Sequence, residues 1–168
     1  MTSTGRRGSA GARDVGADPI RRLVLSGVLF GAGIAASVVD LLLFHLVLQW
    51  HHFYDLGTTE MAIAADGFFH AAAWGMTVAG LFLLVDVRRR ASARGEPARW
   101  GRWTGAVLVG LGGFQLLDAV VNHKLLGIHQ VRYDVDLLPY DIAWIGSAIV
   151  VLAIGLVVLR RSRAPTEP

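Results

Sequence analysis

The chain has no cysteine in its 168 residues, which removes disulfides and thiolate metal ligands and decides nothing about redox compartment. Methionine is scarce as well, at three residues. Only Met61 falls near the region where other ligand-type side chains collect. A copper(I) trafficking site, which favours Cys or Met, is therefore not the natural reading. Charge is sparse at 17%, against about 25% in an average soluble domain. The charges also sit in a few short blocks, so the chain lacks the evenly distributed polar surface of a soluble protein.

What fills the sequence instead is apolar: 54% of residues are hydrophobic and the mean hydropathy is +0.49. Four runs, about 23–50, 61–86, 104–126 and 138–160, each approach or exceed the ~20 residues that cross a hydrocarbon core as a helix. Backbone in lipid must satisfy its own hydrogen bonds, and continuous apolar runs do so as helices. The pattern predicts an all-α fold, a polytopic four-helix transmembrane bundle with one membrane domain over 20–162. Residues 1–19 are small, polar and charged and read as a disordered tail, and 163–168 read as a second short tail. Arg21 and Arg22 before an apolar run resemble the start of a signal peptide. The run that follows far exceeds a signal's ~7–15-residue apolar core, so it reads as a retained helix.

The arginines set an orientation. Arg6, Arg7, Arg13, Arg21 and Arg22 precede the first run; Arg88, Arg89, Arg90, Arg94, Arg99 and Arg102 lie between the second and third; Arg160, Arg161 and Arg163 follow the fourth. The other two loops hold only Lys124 and Arg132. The positive-inside rule makes both termini and the middle loop cytoplasmic. The sequence pI of 9.9 is thereby a topology signal. Because the basic clusters flank spans instead of forming a basic domain, no nucleic-acid partner is expected.

Against this background the ionisable residues inside the runs stand out, because such groups are costly in a membrane and mark functional sites by default. Asp40, His45 and His51 are separated by five and then six residues, and Asp118, His123 and His129 repeat both intervals. Glycines precede both acids, and each following span opens with an acid of its own, Asp66 or Asp141. The pattern predicts two duplicated helical hairpins in parallel orientation, related by a pseudo-two-fold axis along the membrane normal. Asp66 and His70, four apart, share a helical face. Converting offsets to depth at ~1.5 Å per residue levels Asp40 with His70 and His45 with Asp66. Asp40 and His45 are five apart, ~140° around an ideal α-helix, and need not point the same way.

All six histidines fall in the outer half of this topology. Imidazole with carboxylate suits zinc, copper(II) and iron(II), with acids orienting metal-bound histidines. The expected ligand pool is His45, His51, His70, His123, His129, Asp40, Asp66, Asp118 and Asp141. Within it, His45, His70 and His123, with Asp66 as ligand or orienting group, make a four-ligand set. His51 and His129 complete it or form a second site, and Asp40, Asp118 and Asp141 orient. Three other functions compete: a metal-dependent membrane hydrolase, a haem carrier using paired histidines, and a proton pathway. The last is disfavoured because the polar trail stops near the midplane. Catalysis as opposed to binding is left open, as is a homo-oligomer.

The glycine-rich first helix leading to Asp40, His45 and Gln49-Trp50-His51-His52, followed by Asp66 and His70, resembles a bacterial domain-of-unknown-function family of four-helix membrane proteins. The resemblance covers about residues 20–160. It implies a multi-pass protein of the bacterial plasma membrane. Genes of that family often neighbour those of cytochrome oxidase assembly factors, which implies oxidase assembly proteins as partners and a link to respiratory metal supply. It carries over no catalytic residue.

Overall fold

The computed structural model describes residues 19–162, so the expected tails at 1–18 and 163–168 lie outside the described residues. Helix α1 spans Pro19–Ile34 and opens on a proline, whose missing N–H costs nothing in a first turn. It runs without a break into a π-helical segment, Ala35–Val47. Helix α2, Thr59–Ala93, starts at Thr58, whose hydroxyl accepts from the Met61 N–H. Helix α3, Trp100–Leu117, also continues as a π-helical segment, Asp118–Leu125. Helix α4, Leu137–Arg161, is capped by Asp136, which accepts from the Leu138 N–H at 3.1 Å.

Each of the four spans is long and apolar enough to cross a membrane, at 29, 35, 26 and 25 residues. Among the described residues there is no strand. The all-α, four-span expectation therefore holds. Lipid is also what the exterior requires, since Phe68, Phe82 and Ile142 are 80%, 73% and 63% exposed. Contiguous apolar surface of that kind is stable only against another apolar phase.

The helices pack in the order α2–α1–α3–α4, with α1 and α3 in the middle and no contact between α2 and α4 among the described residues. The centre is held by close backbone approach. A Cβ on Gly31 would collide with the Val107 carbonyl, and one on Gly110 with the Val28 carbonyl. Larger side chains would force α1 and α3 apart, which is the use of small residues between membrane helices. Gly27 faces Ala106 on the same seam, so both members of the Gly27-x-x-x-Gly31 pair serve the α1–α3 contact. The flanking helices dock alike. A Cβ on Gly80 of α2 would lie 2.7 Å from the Phe30 nitrogen, and one on Gly155 of α4 would lie 2.7 Å from the Val109 nitrogen. At the end bearing the 94–99 loop, Arg22 and Asp86 tie α1 to α2 at 2.8 Å.

At the opposite end the connections fold inward. Val131 of the 126–136 connection packs with Ala119 and Trp144, with Phe44, Trp50 and Tyr140 against them. Arg132 lies over the rings of Trp50 and Tyr140, at 5.0 and 5.5 Å, and donates to the Tyr140 hydroxyl at 2.7 Å. Those contacts hold the connection down over the helix ends, where cation–π attraction adds to packing.

Candidate metal centre

The π-helical segments answer the angular question raised by the five-residue spacing. An i→i+5 register stacks residue i+5 over residue i, and π turns gather at functional sites. In this register Asp40 and His45 face each other, with Nε2 to Oδ1 at 3.6 Å. Asp118 and His123 do the same, with Nε2 to Oδ2 at 3.0 Å.

The third member of each triad returns from beyond the helix end. Leu48 N–H donates to the Leu43 carbonyl and Leu126 N–H to the Val121 carbonyl, both at 2.8 Å. The next residues, Gln49 and Gly127, take left-handed backbone, with φ of 51° and 60°. That reversal turns the chain back over the helix end and is easy for glycine, less so for Gln49. His51 thereby brings its Nε2 to 3.6 Å from Asp40 Oδ1, and His129 its Nε2 to 3.7 Å from Asp118 Oδ1. Within each triad, one ligand atom per residue lies within 4.8 Å of the others.

Proton positions follow from the outer hydrogen bonds. His51 Nδ1 lies 2.9 Å from the Val131 carbonyl, and His129 Nδ1 lies 2.9 Å from the Phe53 carbonyl. A carbonyl can only accept, so in both rings Nδ1 carries the proton and Nε2 keeps a lone pair. His45 Nδ1 meets Asp66 Oδ1 at 2.9 Å, which gives its ring the same tautomer when Asp66 is ionised. Burial pushes the His129 imidazole down to about 4, against the pull of Asp118, so at neutral pH its ring is uncharged.

For His45, His51 and His129 the result is an acceptor nitrogen facing a carboxylate, and His123 Nε2 stands at the same place in the second triad. All six triad side chains are buried, with His51 the most exposed at 5%. Both Asp40 oxygens, Asp118 Oδ2, and the Nε2 atoms of His45, His51, His123 and His129 have no hydrogen-bond partner among the described residues. Leaving one such atom unpaired costs about 1–3 kcal/mol. A cation in each triad would turn these liabilities into ligands. The spacing fits this, since ligands 2.0–2.1 Å from a tetrahedral ion stand roughly 3.3–3.4 Å apart. The measured nitrogen–oxygen separations of 3.6, 3.6, 3.0 and 3.7 Å bracket that edge. Two imidazoles and one carboxylate also leave coordination positions open, a donor set that suits zinc or iron(II).

The other expected site residues take different places. Asp66 does not enter a triad; it receives His45 Nδ1, His52 Nδ1 at 2.7 Å and the Phe53 N–H at 2.7 Å, and so orients the first triad from behind. His52, which from sequence could pass for a solvated loop residue, is half-buried in that network. Asp141 pairs with Lys124 Nζ at 2.5 Å. His70 stands apart on α2, its Nε2 accepting from Trp74 Nε1 at 2.8 Å. The grouping of His45, His70 and His123 is thus replaced by two sets, each drawn from one hairpin. Missing from the sequence-derived pool are the Phe53 and Val131 carbonyls, which carry no side-chain signal, and two rings. Phe69 stacks on His45 and Trp144 on His123, each with centroids 6.4 Å apart.

A family described as a predicted membrane protein, DUF2243, matches residues 26–162, a span that includes both triads. No curated protein and no solved structure matches the chain.

Proposed function

The chain belongs to the DUF2243 family of predicted membrane proteins, and we propose that it binds a transition metal through its two Asp–His–His triads near the outer face of the membrane. The observation that carries this reading is the buried cluster of histidine Nε2 atoms and carboxylate oxygens in each triad, most of them without a hydrogen-bond partner among the described residues. Asp40, His45, His51, Asp118, His123 and His129 are the ligands; Asp66 orients, and His70 and Asp141 are not ligands. Zinc, iron(II) and copper(II) suit the donors.

A bare ion is favoured over haem because the imidazoles touch one another, with centroids of 4.6 Å for His45–His51 and for His123–His129 and 4.8 Å for His51–His129. Holding an ion is favoured over hydrolysis because no triad side chain is more than 5% exposed. The arginine distribution supports an outward triad end with both termini cytoplasmic. The resemblance noted from sequence supports the bacterial plasma membrane and metal handling for respiratory oxidase assembly.

We also infer that the two hairpins are duplicates. A shift of 78 residues relates Asp40 to Asp118, His45 to His123, Gln49 to Gly127, His51 to His129 and Phe53 to Val131. A shift of 75 relates Asp66 to Asp141, Phe69 to Trp144 and Gly80 to Gly155.

The test is metal content after purification in mild detergent, for wild type and for His45→Ala, His51→Ala, His123→Ala and His129→Ala. Stoichiometric metal in the wild type, reduced in each variant, is expected. A wild type that carries none and cannot be loaded defeats the proposal, and metal that survives all four substitutions defeats the ligand assignment.

A further inference from the structure

The two triads share their residue types and spacing but differ at the acid. Both imidazoles of the first approach Asp40 Oδ1, while His123 meets Asp118 Oδ2 and His129 meets Asp118 Oδ1. They differ again behind the ligands. In the first, the proton on His45 Nδ1 has an acceptor in Asp66, itself fixed by His52 and the Phe53 N–H. In the second, His123 Nδ1 is buried and has no hydrogen-bond partner among the described residues. The acid in the corresponding place, Asp141, stands one turn before Trp144 as Asp66 stands one turn before Phe69. Trp144 and Phe69 lie at equal centroid distances, 6.4 Å, from His123 and His45. Helix α4 thus presents Trp144 to His123 as α2 presents Phe69 to His45, and it carries Asp141 one turn before that ring.

What draws Asp141 aside is Lys124, whose ammonium holds its Oδ2 at 2.5 Å. The first hairpin has Leu46 at the corresponding position and no cation there to compete for Asp66. A second difference lies at the acids themselves. Asn122 Nδ2 donates to Asp118 Oδ1 at 2.7 Å, so one carboxylate oxygen of the second triad is already engaged, whereas both Asp40 oxygens have no hydrogen-bond partner among the described residues.

We infer that the chain holds two metal ions of unequal affinity, a tight one at Asp40–His45–His51 and a labile one at Asp118–His123–His129, and that Lys124 keeps the second labile by withholding Asp141 from His123. The inference rests on the metal-binding reading above and adds a division of labour: a retained ion beside an exchangeable one. Loss of a carboxylate that orients a metal-bound histidine typically weakens binding 10–100-fold, which sets the expected gap.

The experiment is a zinc titration of the full chain in detergent, stripped by a chelator and read against a chromophoric zinc competitor. Two ions per chain are expected, in steps 10–100-fold apart. His123→Ala should remove the weaker step and leave the tighter. Lys124→Leu, with Lys124→Gln as a second variant, should tighten the weaker step at least several-fold and leave the tighter unchanged. One ion per chain, two ions of equal affinity, or a weaker step unmoved by both Lys124 variants would overturn this inference while leaving metal binding intact. A wild type that takes up no zinc, iron(II) or copper(II) would overturn both.

Discussion

His51 and His129 lie face to face, with ring centroids 4.8 Å apart and planes within 5° of parallel. Each hands its Nδ1 proton to a carbonyl in the other's hairpin, His51 to Val131 and His129 to Phe53. A third link, from the Asp55 N–H to the Ile128 carbonyl at 2.9 Å, joins the same two connections. The triads are therefore two pockets with one shared wall.

That wall predicts cross-talk. His129→Ala removes a ligand from the second triad and also frees the Phe53 carbonyl, which steadies the segment carrying His51. A buried hydrogen bond of this kind is worth about 1 kcal/mol, roughly fivefold in an equilibrium constant. The variant should lose the second triad's metal and bind about fivefold more weakly at the first. His123→Ala, which makes no such bond, should affect the second triad alone. Zinc titration of both variants decides it, and equal effects on the first triad would count against the coupling.

Asp66 is the residue on which the first triad leans. Asp66→Ala leaves His45 Nδ1, His52 Nδ1 and the Phe53 N–H without their acceptor. Metal affinity at the first triad should fall 10–100-fold, and the metal-free protein should lose about 1–3 kcal/mol through the unpaired donors. Asp141→Ala, whose partner Lys124 is 40% exposed in its side chain, should change stability by well under 1 kcal/mol. Thermal unfolding in detergent separates the two.

The four spans, the confinement of histidines to one end and the pairing of His45 with Asp66 were all readable, because hydropathy and depth depend only on position along the chain. The angle around each helix was not. Five residues mean ~140° in an α-helix, and only the switch to an i→i+5 register at Ala35 and Asp118 puts Asp40 under His45 and Asp118 under His123. His70 was misplaced by the same gap. Depth levelled it with Asp40, but its azimuth on α2 turns it toward Trp74. The Phe53 and Val131 carbonyls could not be found at all, since any residue offers one.

Helix α4 begins on a single side chain. Asp136 accepts from the Leu138 N–H and follows a residue of left-handed backbone two positions earlier, Asp134, at φ 57°. Asp136→Ala should cost about 1 kcal/mol, the usual value of such a cap. Asp136→Asn should restore most of it, and denaturation midpoints of the three proteins provide the check.

Two glycines on neighbouring central helices should respond to alanine with opposite signs. At Gly31 an added methyl would run into the Val107 carbonyl across the α1–α3 seam, and neither backbone can yield without parting the helices. Overpacking of this sort costs about 1–3 kcal/mol. At Gly113 of α3 an added Cβ meets nothing within 4 Å, so alanine there only removes the conformational freedom of glycine in a helix and should stabilise by about 0.5–1 kcal/mol. Because the triads hang from the far ends of α1 and α3, Gly31→Ala should also weaken metal binding at both, whereas Gly113→Ala should leave it unchanged. Thermal unfolding with and without zinc measures both effects, and a Gly31→Ala protein as stable as wild type would mean that the close approach of α1 and α3 is not what holds the centre together.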